Sequence, residues 1–69
     1  MITIEQIREN LSKAIKQSGK TQKEIAEKIN VKRQTVSCYI NGTKLPALDT
    51  LANLCIVLDL DANDILCIK

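Results

Sequence analysis

Wound as a helix at about 100° per residue, positions 33–41 bring Arg33, Gln34, Ser37, Cys38 and Asn41 within an arc of roughly 140°. Val36, Tyr39 and Ile40 occupy the other side. One face is therefore apolar and the other a row of short or forked hydrogen-bonding groups. Such groups can meet base edges in a DNA major groove, where Arg pairs in bidentate fashion with guanine O6 and N7, and Gln with adenine N6 and N7. Lys32 and Arg33 stand at the start of the same helix, where the macrodipole disfavours a cation by about 0.3–1 kcal/mol. A phosphate or a guanine would supply the missing negative partner, and Lys20 and Lys23 flank the start of the preceding helical segment in the same way.

The charge distribution points to the same region. The net charge of +2 is small, but it is unevenly spread. Residues 20–44 carry Lys20, Lys23, Lys28, Lys32, Arg33 and Lys44 against Glu24 and Glu27, a balance of +4. Residues 45–69 carry Lys69 against Asp49, Asp59, Asp61 and Asp64, a balance of −3, and residues 1–19 stand at +1. A basic middle suits a polyanion, while the acidic remainder favours solubility. The plain alternative is a solvated lysine-rich surface.

Composition excludes several other classes. At 69 residues and 7.7 kDa the chain has room for one domain, 1–69, and too little core to enclose a deep substrate cleft. There is no His, Trp or Phe, so the usual proton shuttle and the commonest metal ligand are missing; neither catalysis nor a cofactor is expected. Cys38, Cys55 and Cys67 are odd in number and spaced unlike a disulfide framework or a pair of metal knuckles, which fits free thiols in a reducing cytoplasm. No apolar run is long enough to span a bilayer and no secretion signal opens the chain.

The elements that must position the polar row are short helices. Ile4, Ile7, Leu11, Ala14 and Ile15 follow helical spacing behind a capping box of Thr3 and Gln6, with Ile2 and Ile7 at staple positions and Gly19 as the stop. Thr21 and Glu24 form a second capping box, and Ile25, Ala26 and Ile29 give a narrow stripe over about 22–29, closed by Asn30. The third helix carries the polar row and stops at Gly42. After a loop at 43–46, Leu48, Leu51, Ala52, Cys55 and Leu58 define the face of a fourth helix. Asp61 caps a fifth over 62–67, with Leu60 and Ile65 at staple positions. The expected fold is an all-α, five-helix bundle with a helix-turn-helix over about 21–41.

The stretch Thr21-Gln22-Lys23-Glu24-Ile25-Ala26-Glu27-Lys28-Ile29, followed by Val31-Lys32-Arg33-Gln34-Thr35-Val36-Ser37-Cys38-Tyr39-Ile40-Asn41-Gly42, resembles the helix-turn-helix of Cro/C1-type phage repressors, the Xre family. Pro46, Leu48-Asp49-Thr50-Leu51 and Leu58-Asp59-Leu60 match that family's spacing as well. The resemblance implies a lambda-repressor-like DNA-binding domain. It implies base reading by Arg33, Gln34, Ser37 and Cys38, and phosphate contacts from Gln22, Lys23, Lys32, Asn41, Thr43 and Lys44. Lys32 and Ala47 depart from the family's usual caps, and Asn30 and Asp59 stand where glycines are usual. Cys38 replaces a stronger donor, so it suits a thymine methyl better than a hydrogen bond. Oxidation there would add bulk and charge to the DNA face.

A lone module reads half a site, so a homodimer on a palindrome of double-stranded DNA is expected, with half-sites about 34 Å apart. The candidate dimer surface is Ile56, Val57, Leu60 and Ile68. The chain ends just past the fifth helix, so no separate oligomerisation or effector domain is expected. The competing reading is a protein-interaction module on the same scaffold, an antitoxin or antirepressor whose partner docks on helices four and five.

Overall fold

The structure is a computed structural model and describes residues 1–68; Lys69, counted above in the charge of the last third, lies outside the described residues. Five helices follow one another: α1 (Ile4–Gln17), α2 (Gln22–Ile29), α3 (Arg33–Asn41), α4 (Leu48–Val57) and α5 (Ala62–Leu66). Both capping boxes form. Thr3 Oγ1 accepts from the Gln6 amide at 3.2 Å while Gln6 Oε1 accepts from Thr3 N at 2.9 Å, and Thr21 with Glu24 repeats the arrangement. Each box satisfies two amides that a helix start leaves without partners.

Four helices end in one way. The amides of Val31, Thr43, Leu60 and Ile68 each donate to the carbonyl five residues back, on Ala26, Cys38, Cys55 and Asn63. This closure requires a left-handed residue just before the donor. Asn30 (φ 58°), Gly42 (φ 75°), Asp59 (φ 54°) and Cys67 (φ 62°) supply it. Asn and Asp tolerate that conformation better than other side-chain-bearing residues, which explains how Asn30 and Asp59 serve in place of glycine. Cys67 has no such advantage, and its place as the cap of α5 ends that helix at Leu66, one residue before the expected boundary.

The core collects the inward faces of all five helices: Leu11 and Ile15 from α1, Ile25, Ala26 and Ile29 from α2, Val36 and Tyr39 from α3, Leu54 and the following Leu58 from α4, and Ile65 from α5. Leu11, Ile15, Ile25, Val36 and Leu54 are fully buried, each contributing about 1.5–3 kcal/mol of transfer free energy.

Two expectations are corrected here. The core face of α4 is centred on Leu51, Leu54, Cys55 and Leu58, so Leu48 is 85% exposed and Ala52 is also exposed. Leu51, Cys55 and Leu58 of the expected stripe do face the core, but Leu48 and Ala52 do not and Leu54 takes their place, because several apolar residues in this helix satisfy the spacing at about 100° per residue. Ile4 is likewise exposed at the start of α1, as is Ile2 at the proposed staple.

One polar tie connects the ends of the chain. Asn10 Nδ2 lies 3.3 and 3.4 Å from the carbonyls of Asp64 and Ile65 and 3.0 Å from Cys67 Sγ, so α1 donates to the carbonyl end of α5.

Candidate nucleic-acid interface

α2 and α3 are joined by only Asn30, Val31 and Lys32. Val36 and Tyr39 are buried against the rest of the core, and Val31 packs at its margin. With that face fixed inward, the polar row of α3 must face out. Arg33, Gln34 and Asn41 are exposed, while Ser37 and Cys38 are half-buried along the same face. All five thus stay together on one side of a helix whose other side is locked.

The starts of α2 and α3 converge. Thr21, Gln22, Lys23 and Arg33 line a single open cleft of about 290 Å³. Gln22 is half-buried there and Lys23 and Arg33 are exposed. The resemblance implies phosphate contacts for Gln22 and Lys23 and base reading for Arg33, and the structure brings these three side chains together; Thr21 was read only as a cap. Its hydroxyl accepts from Glu24 N at 3.1 Å, which orients the first turn of α2 beside the cleft.

Lys32 occupies the cap position of α3 with extended backbone (φ −74°, ψ 147°), and its side chain makes no capping hydrogen bond. No acidic residue occupies the first turn of α3 either. This helix start carries two cations, no acidic side chain and no side-chain cap, and free backbone amides and the dipole at such an end favour an anion.

At the other end of α3, Thr43 N and Oγ1 both donate to the Cys38 carbonyl, at 3.1 and 3.4 Å. Those bonds fix the turn that carries the exposed side chains of Thr43 and Lys44 away from the helix. The expected phosphate contacts therefore divide into two groups. Gln22, Lys23 and Lys32 gather near the start of α3, and Asn41, Thr43 and Lys44 near its end. A residue missed from the sequence stands behind that end: Ser12 Oγ donates to the Ile40 carbonyl at 2.7 Å. A small polar residue inside the apolar spacing of the first helix was the available signal.

A helix-turn-helix family model matches residues 11–65, which spans the end of α1 through α5. The chain belongs to the Cro/C1-type helix-turn-helix family. That family consists of DNA-binding regulators, and the convergence of the α2 and α3 starts is the motif's defining pair of helices in this member. No curated protein and no solved structure matches the chain. Among the described residues no helix is long and apolar enough to cross a membrane.

The four candidates for a dimer surface differ in environment. Ile56 is 77% exposed and Ile68 is also exposed, whereas Val57 and Leu60 are half-buried and pack against the core. Cys55 is buried, and that burial, with a smaller contribution from Asp61, pushes its thiol pKa up. Burial likewise raises the Tyr39 phenol, with Cys38 adding to the effect.

Proposed function

We propose that this helix-turn-helix protein is a sequence-specific transcriptional repressor in the cytoplasm, binding a palindromic operator as a homodimer with α3 in the major groove. The observation that carries the reading is the single exposed face of α3. It presents Arg33, Gln34, Ser37 and Cys38 together, beside a cation-bearing helix start that its own chain leaves uncapped. Arg33 and Gln34 give most of the base discrimination, Ser37 a short polar contact and Cys38 an apolar one. Gln22, Lys23, Lys32, Asn41, Thr43 and Lys44 hold the backbone on either side, which sets register without reading sequence.

Two-fold pairing through exposed Ile56 and Ile68, with Val57 and Leu60 behind them, would present two copies of α3 to successive major grooves. No catalytic step, metal or cofactor enters this reading. The same exposed apolar residues favour the second reading, a protein partner bound on α4 and α5 in place of a second copy.

Selection from a randomised duplex pool, followed by stoichiometry on the recovered site, tests the proposal. A palindrome bound by two protomers supports it. Recovery of no preferred sequence, together with stable binding to another protein through α4 and α5, would replace it with the interaction-module reading.

A further inference from the structure

Arg8 sits outside every role assigned so far. It is half-buried on α1, its Nε is buried, and that Nε has no hydrogen-bond partner. Leaving a charged donor in this state is costly unless a partner arrives from elsewhere. Among the described residues no group of the chain takes it up. Glu9 pairs with Lys13 at 3.4 Å, and among the described residues no ion pair joins Arg8 to Glu5 or Glu9. The nearby carbonyls at the end of α3 have other donors: Ser12 takes Ile40, Gly42 N takes Tyr39, and Thr43 takes Cys38.

Arg8 lines an open groove of about 400 Å³ between α1 and the end of α3. Arg8, Ser12 and Lys16 follow one another at four-residue spacing, which places them in a row along α1. Ile40, Asn41 and Gly42 form the facing wall. The lining carries three cations, Arg8, Lys13 and Lys16, against Glu5 and Glu9. Asn41 belongs both to this wall and to the exposed face of α3, so the groove adjoins the proposed DNA surface.

We propose that this groove receives a backbone phosphate of the bound DNA, with Arg8 as its anchor and Lys16 beside it. The inference rests on the DNA-binding reading above and extends the contact surface onto α1. A guanidinium whose Nε–H has no partner in the chain matches a phosphate in both charge and geometry. The contact is to backbone, so it strengthens binding to every sequence and leaves base preference unchanged.

The test uses the full chain on its selected duplex, with Arg8→Met, which keeps an apolar stem, and Lys16→Gln, at an exposed position. Thermal melts confirm that each variant folds. The expected result for Arg8→Met is roughly tenfold weaker binding at low salt, and a plot of log affinity against log salt whose slope is smaller by about 1. Ethylation of one phosphate flanking the half-site should block the unaltered protein and leave the variant unaffected. Lys16→Gln should reduce the slope in the same direction. An unchanged slope and unchanged ethylation pattern in a folded Arg8→Met protein would overturn this inference alone. Absence of duplex binding by the unaltered protein would overturn it together with the DNA-binding reading. Loss of a protein complex in Arg8→Met, with DNA affinity intact, would assign the groove to an acidic protein side chain and also overturn it.

Discussion

The Ser12 hydroxyl donates to the Ile40 carbonyl at 2.7 Å, which ties the middle of α1 to the last turn of the helix that carries the exposed polar row. Helix ends leave carbonyls without internal partners, and this one is satisfied from a different element. The bond fixes the tilt of α3 against its scaffold. Ser12→Ala removes the donor and leaves a half-buried carbonyl short of a partner, at an expected cost of about 1 kcal/mol in stability. Chemical denaturation measures that loss, and operator affinity should fall with it. A Ser12→Ala protein of unchanged stability would show that the bond contributes nothing to holding α3.

The uncapped start of α3 predicts opposed effects on stability and binding. Lys32→Ser supplies a side-chain acceptor and removes an unfavourable cation, so the fold should gain about 0.5–2 kcal/mol. In a domain of this size each kcal/mol corresponds to roughly 4–8 °C in Tm. DNA affinity should drop in the same variant. A rise in Tm with undiminished affinity would mean that Lys32 makes no phosphate contact.

The face of α4 gives a direct contrast between two leucines. Leu54 is fully buried and Leu48 almost fully exposed. Leu54→Ala should cost about 2–5 kcal/mol, and Leu48→Ala should change stability by no more than about 0.5 kcal/mol. Equilibrium unfolding of the two variants decides it, and the reverse order would return Leu48 to the core face in place of Leu54.

Tyr39 and Cys55 predict the alkaline limit of stability. Burial raises both above their ordinary values of 10.0 and 9.0, with smaller contributions from Cys38 and Asp61 respectively. The unfolded chain therefore releases these protons at lower pH than the folded one. Stability from the two groups is complete below the ordinary thiol value and is lost as pH rises through it and through the raised folded values. Denaturation midpoints measured from neutral to strongly alkaline pH should fall at the upper end, and Tyr39→Phe and Cys55→Ala should each flatten the fall. A flat profile in the unaltered protein would contradict the burial argument.

Much of this was legible in the sequence because the local signals agree with one another. Thr3 with Gln6 and Thr21 with Glu24 marked two helix starts, and Asn30 and Gly42 marked two ends, so α2 and α3 were legible as separate short helices. The polar row was equally plain, since Val36 and Tyr39 admit only one inward orientation of α3. α4 was harder. Leu48, Leu51, Ala52, Leu54, Cys55, Ile56, Val57 and Leu58 crowd into one helix and its cap, and only packing against α2 selects Leu54 over Leu48. The ties from Ser12 to Ile40 and from Asn10 to α5 join residues 28 to 57 positions apart, and no local pattern announces them. Arg8 belongs with these, because its neighbours in sequence give no hint that its Nε is buried.

The most direct test of the central claim compares two variants in selection from a randomised duplex pool. In the proposed function Arg33 reads a base and Lys44 holds a phosphate. Arg33→Ala should lose about 1–3 kcal/mol on the preferred site and relax preference at one base pair of each half-site, while Lys44→Ala should weaken all sequences alike and lower the salt slope by about 1. Selection by Arg33→Ala of the same site as the unaltered protein, with preference undiminished at every position, would contradict the assignment of α3 as the reading helix.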